Sequence, residues 1–66
     1  MTPFDAYLIN HYQNALDKGE TSFMILKHSL AEYGNPTESN IRNTFMRNKI
    51  HVQVEDGSSH CRVHIL

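Results

Sequence analysis

The chain has 66 residues, of which 39% are hydrophobic and 20% are charged, and its formal net charge is −1. This length accommodates one domain (residues 1–66) with a small core, and the composition excludes both a disordered tail and a membrane-spanning segment. Cys61 is the only cysteine, which excludes a disulfide within the chain. A lone thiol and an N-terminus without a basic stretch and an apolar run favour a cytoplasmic protein.

The first segment carries the signals of an amphipathic helix. Thr2 can cap it, Pro3 suits the first helical position, and Gly19 can end it. Apolar side chains recur at spacings of four, four and three: Phe4, Leu8, Tyr12 and Ala15. The pattern predicts a helix at about 3–18.

A second helix is expected to begin after Thr21 or Ser22 and to end at Gly34. One face of it would carry Phe23, Leu26, Leu30 and Tyr33, and the other would carry Met24, His28 and Ala31. Apolar groups on two sides indicate a helix that is sandwiched or makes a second contact.

The third helix has two possible starts. In one, Asn35 caps the helix and Pro36 takes the first position; in the other, Thr37 caps it and faces Asn40. The spacing of Ile41 and Phe45 makes them its buried edge, and Asn48 can supply the left-handed residue that ends it.

From Ile50 onward the apolar period changes to two, which predicts a β-hairpin around Asp56-Gly57-Ser58-Ser59. A four-residue loop pairs Val54 with Cys61, Val52 with Val63 and Ile50 with Ile65. The other face then sets His51 opposite His64, Gln53 opposite Arg62 and Glu55 opposite His60. A two-residue Asp-Gly turn shifts this pairing by two and leaves the faces unchanged.

These elements predict an α+β, mainly α fold: a three-helix bundle with a C-terminal β-hairpin. Their order resembles the winged helix-turn-helix family over about residues 21–66. Ala31 and Ile41 have the ten-residue separation of the small and aliphatic positions of that motif, and Asn35 occupies the place of its turn glycine. The resemblance implies that the third helix enters the major groove of DNA and that the hairpin serves as the wing.

The side chains that would then face DNA are polar or basic. Arg42 or Arg47 can pair with guanine, Asn43 with adenine, and Met46 can contact a thymine methyl group. Thr37 can hold a phosphate at the start of the helix, while Lys49 and Arg62 can reach the backbone. The expected DNA-binding set is Thr37, Ser39, Asn40, Arg42, Asn43, Met46, Arg47, Lys49 and Arg62.

The sequence thus predicts a small sequence-specific regulator of transcription that binds double-stranded DNA, either a repressor or an excision-type accessory factor. Basic residues are few, so binding is expected to require a homodimer, with Tyr7, Ile9 and Met24 as candidate contacts. The alternative is a protein-interaction module or small inhibitor that docks on a partner protein. The near-neutral charge and the second apolar side of the second helix favour that alternative.

Neither a metal site nor an active site is expected. His51, His60 and His64 are the only histidines near Cys61, but strand alternation turns Cys61 to the opposite face. A buried Cys61 would be inert, and the exposed serines lie in a flexible turn without a base. We therefore expect no enzymatic activity and no cofactor.

Overall fold

The computed structural model describes all 66 residues and has an α+β fold with three helices and one antiparallel sheet. The elements are α1 (Pro3–Asp17), β1 (Ser22–Leu26), α2 (Lys27–Leu30), α3 (Glu38–Arg47), β2 (Val52–Asp56) and β3 (His60–Ile65). A 3₁₀ turn at Ala31–Tyr33 extends α2. The strand order is β1-β3-β2, so β3 is central and the other two strands are edges.

The first helix matches its sequence signals. The Oγ1 atom of Thr2 accepts a hydrogen bond from the backbone N–H of Asp5 at 3.2 Å, and Pro3 occupies the first position. Gly19 follows the helix with a φ of 71°, in the left-handed region where glycine is favoured. The predicted helix at 3–18 is confirmed to within one residue.

The prediction for the second helix is wrong over its first half. Residues 22–26 form β1, which pairs with β3 so that Phe23 lies opposite Val63 and Ile25 opposite Cys61. Phe and Ile favour strands, and the free side of β3 supplies a pairing partner for this segment. The local spacing of apolar residues contains no information about that partner. Strand alternation buries Ile25 completely and leaves Leu26, which was expected on the same helix face as Phe23 and Leu30, 53% exposed.

The third helix uses the second of its two predicted starts. The Oγ1 atom of Thr37 accepts from the N–H of Asn40 at 3.2 Å, and the Oδ1 atom of Asn40 accepts from the N–H of Thr37 at 2.9 Å. Ile41 and Phe45 are fully buried, as predicted. Asn48 does not adopt the left-handed conformation; Lys49 does, with a φ of 62°.

The chain reverses before α3 through two consecutive left-handed residues. Gly34 has a φ of 79° and Asn35 a φ of 54°. Asparagine tolerates this region better than other residues with a Cβ, which explains why it follows the glycine here.

The hairpin pairs in neither of the two predicted registers. Val52 lies opposite Ile65 and Val54 opposite Val63, and Gly57, Ser58 and Ser59 connect the two strands. Asp56 stays within β2, where its Oδ1 atom binds the Nζ atom of Lys27 at 2.9 Å. Because the register moved by two residues, the faces are as predicted.

The cross-strand neighbours on the outer side of the hairpin differ from the expected ones. Gln53 lies opposite His64 and Glu55 lies opposite Arg62. The expected pairing of His51 with His64 is therefore wrong.

The core lies between the helices and one face of the sheet. It is a single cluster that draws on every element, formed by Leu8, Ile25, Leu30, Ile41, Phe45, Val52, Cys61 and Val63. The ring of Phe45 lies 6.1 Å from that of Phe23 in β1 and 6.3 Å from that of Tyr12 in α1, between centroids. None of the helices combines the length and apolar character needed to cross a membrane.

Removing the cap of α3 should destabilise the fold. Thr37→Ala loses the acceptor for the N–H of Asn40, and we expect the free energy of unfolding to fall by about 1 kcal/mol in urea titrations. Ser39→Ala, an exposed change in the same turn without a capping hydrogen bond, is the control and should alter stability by less than half as much. Equal losses in the two variants would show that the cap contributes nothing.

Candidate functional site

The solvent side of α3 is one of two polar surfaces of the molecule. Since each residue turns the helix by about 100°, burial of Ile41 and Phe45 directs an arc of roughly 160° away from the core. All residues on this arc are exposed: Ser39, Asn40, Arg42, Asn43, Met46 and Arg47. We call this set the α3 outer face.

The α3 outer face carries positive charge and no carboxylate. The side chains of Arg42 and Asn43 form no hydrogen bond and no ion pair within the protein. Their donors and acceptors are therefore free for an external ligand. Met46 lies between them on the helix surface and is 53% exposed.

Arg47 differs from Arg42 because it contacts the rest of the protein. Its guanidinium lies 3.5 Å from the Oδ1 atom of Asp5 in α1, and the Asp5 side chain is only 12% exposed. The Arg47 side chain as a whole remains 63% exposed. The contact is long and its Arg47 side is open to solvent, so it holds Arg47 only weakly against α1.

Two of the predicted DNA-binding side chains cap the start of α3. Thr37 and Asn40 form the reciprocal capping hydrogen bonds that start α3. Both remain exposed, but their oxygen atoms are occupied by backbone N–H groups.

The remaining two predicted residues lie in different places. Lys49 is exposed directly after α3, close in sequence to Met46 and Arg47. Arg62 is central in β3 on the side of the sheet that faces away from the helices, where its Nη1 atom donates to the Oγ atom of Ser22 at 3.4 Å. The structure therefore places Lys49 next to the end of α3, where its backbone N–H donates to the carbonyl of Met46 at 2.9 Å, and places Arg62 on the opposite side of the sheet.

The side of the sheet that faces away from the helices is a second polar surface. This outer sheet face consists of Ser22, Met24, Leu26, Gln53, Glu55, His60, Arg62 and His64. Its charges are mixed: the Oε1 atom of Glu55 lies 2.7 Å from the Nε2 atom of His64, and this hydrogen bond lowers the pKa of Glu55. Anionic ligands are less favoured here than on the α3 outer face.

A cleft of about 310 Å³ opens between the start of α3 and the tip of the hairpin. Lys27 and Asp56 form an ion pair at its rim, and this contact lowers the pKa of Asp56 and raises that of Lys27. Cys61 lies at its base with the Sγ atom 3.6 Å from the Oδ1 atom of Asp56. Burial, together with this contact, raises the pKa of the Cys61 thiol, so the thiol is not activated as a nucleophile.

Sequence reasoning missed this cleft because it placed residues 22–26 in a helix. The ion pair depends on β1 ending at Leu26, which delivers Lys27 to the hairpin; the backbone N–H of Lys27 donates to the carbonyl of Ser59 at 3.0 Å. The uncharged stretch from Ser22 to Leu26 was the available signal of a strand. No group of three or more His, Cys, Asp or Glu side chains in the structure is arranged to hold a metal ion.

No family model, no curated protein and no solved structure matches this chain.

The ion pair at the cleft gives the stability a defined pH dependence. Because the folded-state pKa of Asp56 lies below its ordinary value of 3.8, the ionised carboxylate stabilises the folded protein above that value. We expect the wild type to be more stable than Asp56→Asn at pH 7, and the difference to shrink as the pH falls through about 4 towards the folded-state pKa.

Urea unfolding at several pH values between about 7 and about 3 measures this difference. Asp17→Asn, which removes an exposed carboxylate without an ion pair, is the matched control and should show no comparable loss at pH 7. A difference for Asp56→Asn that stays constant across this range would contradict the assignment.

Proposed function

We propose that the protein binds double-stranded DNA through the α3 outer face and acts as a small regulator that occupies its site without catalysis. The observation that carries this proposal is that the outer face of α3 holds two guanidinium groups and exposed amide side chains and no carboxylate of its own. The carboxylates next to it are Glu38, one turn before Arg42, and Asp5, 3.5 Å from Arg47. This concentration occurs in a chain whose net charge is −1.

The dimensions of α3 suit a major groove. Ten helical residues extend about 15 Å, and the groove of B-DNA is about 12 Å wide and admits an α-helix. A free Arg42 can donate to guanine and a free Asn43 can form paired hydrogen bonds with adenine. Met46, between them, can contact a thymine methyl group.

The order of helices and strands is compatible with a winged helix. In that fold α3 would be the recognition helix, with α1 and the sheet supporting it from behind. The hairpin loop itself carries no basic residue: Gly57, Ser58 and Ser59 form it, and Glu55 and Asp56 precede it. We therefore assign the phosphate contacts to Lys49 and the arginines of α3, with no contribution from the loop.

The second candidate is a protein-docking module. The observation that favours it is the exposure of Met24 (45%) and Leu26 (53%) on the outer sheet face. This surface is apolar at one edge, and it is distant from the α3 outer face because the sheet separates them. The two functions therefore depend on different residues.

Duplex binding is tested with a pool of random double-stranded DNA in fluorescence anisotropy at two salt concentrations. The double variant Arg42→Ala/Asn43→Ala should weaken binding to a duplex selected from that pool at least about tenfold, since each paired base contact contributes about 1–3 kcal/mol of discrimination. Lys18→Ala removes the same charge from the end of α1 and should change affinity much less.

The outcome that contradicts the proposal is equal weakening by the two variants, which would indicate diffuse attraction to phosphates. Absence of duplex binding even at low salt would also contradict it and would favour protein docking. Circular dichroism is the control that checks whether both variants are folded.

A further inference from the structure

The strand β1 presents unpaired backbone groups along one side. The N–H of Lys27 donates to Ser59 and the carbonyl of Thr21 accepts from Ile65, so the odd-numbered residues of this segment face β3. In an antiparallel ladder the alternate residues point their N–H and C=O groups the other way. Those residues are Ser22, Met24 and Leu26, and β1 is an edge of the sheet.

This edge lacks the features that usually protect an exposed strand. Ser22–Leu26 contains no charge and no proline, whereas natural edge strands commonly carry lysine, proline or a bulge. The opposite edge differs, because β2 contains Glu55 and Asp56 and packs against α3. Of the two edges of the sheet, only β1 is both uncharged and flanked by exposed apolar side chains.

We infer that β1 pairs with β1 of a second copy of this chain, in antiparallel orientation about a two-fold axis at Met24. In this register Met24 lies opposite Met24 of the second copy, and Ser22 lies opposite Leu26 in both directions. The N–H groups of all three residues face outward, and the carbonyl of Leu26 already accepts the first hydrogen bond of α2, so the three pairs exchange about four hydrogen bonds. The strand is therefore complementary to itself.

The charges next to the strand select the antiparallel orientation. Glu20 precedes β1 and Lys27 follows it. Antiparallel pairing keeps Glu20 of one copy away from Glu20 of the other and sets it towards the Lys27–Asp56 ion pair, whereas parallel pairing places the two Glu20 side chains side by side. The side chains of Met24 and Leu26 then cover one another across the interface on the outer sheet face.

The pairing has a geometric consequence. A two-fold axis between antiparallel strands is perpendicular to the sheet, so the same face of the sheet points the same way in both copies. The joint sheet has six strands, and the helices of both copies lie on one side of it. This arrangement does not depend on the proposed DNA binding, but it leaves both α3 outer faces free on the side opposite Met24.

Sedimentation equilibrium and amide hydrogen exchange, carried out from about 10 µM to about 1 mM protein, test the inference, since dimer population rises with protomer concentration. The expected result is a monomer–dimer equilibrium in which the amides of Ser22, Met24 and Leu26 gain protection as concentration rises. The outward-facing amides of the other edge, Val52 and Val54, should not gain protection.

A pair of variants separates edge pairing from other self-association. Met24→Lys sets two like charges opposite each other at the axis and should raise the dimer dissociation constant at least tenfold. Gln53→Lys adds the same charge to β2 on the same outer sheet face, and it should leave the dimer dissociation constant within about twofold of the wild-type value. A monomer throughout the concentration range, a dimer unaffected by Met24→Lys, or open-ended assembly would overturn the inference.

Discussion

The structure depends on the burial of Phe45. This side chain of α3 is fully buried, and its ring contacts Phe23 of β1 and Tyr12 of α1. One residue therefore fixes α3 against both the sheet and the first helix. Together with Ile41, it determines which side of α3 faces water. This orientation exposes Arg42 and Asn43 to solvent.

The sheet divides the molecular surface into parts of different character. Its inner face is covered by the helices, and beyond them the α3 outer face is polar and free of carboxylates. Its outer face combines ion-paired groups such as Glu55 and His64 with the exposed side chains of Met24 and Leu26. A ligand of the guanidinium and amide groups would bind on the helix side of the sheet, whereas a partner strand would add to the β1 edge in the plane of the sheet, so the two would not compete.

Sequence patterns predicted the elements whose signals are local. The cap at Thr2, the left-handed Gly34, the buried pair Ile41 and Phe45, and the faces of the hairpin all depend on residues near one another in the chain. The polar side of α3 followed from the same spacing. These features need no knowledge of the tertiary fold.

The features that were missed depend on contacts between distant segments. β1 exists because β3 offers a pairing edge, and a window of residues around Phe23 contains no information about that edge. The observed hairpin register places Asp56 within 2.9 Å of Lys27, a residue far away in the chain. The cleft near Cys61 and the open edge at Met24 both depend on β1. They could not be predicted once residues 22–26 were assigned to a helix.

In the proposed function, the α3 outer face is the surface that contacts DNA. An NMR titration of ¹⁵N-labelled protein with a short duplex measures this directly, residue by residue. We expect the largest chemical-shift changes at Ser39, Arg42, Asn43 and Met46, with little change at Met24 and His64. Changes confined to the outer sheet face, or none at a duplex concentration that saturates binding in anisotropy, would contradict it.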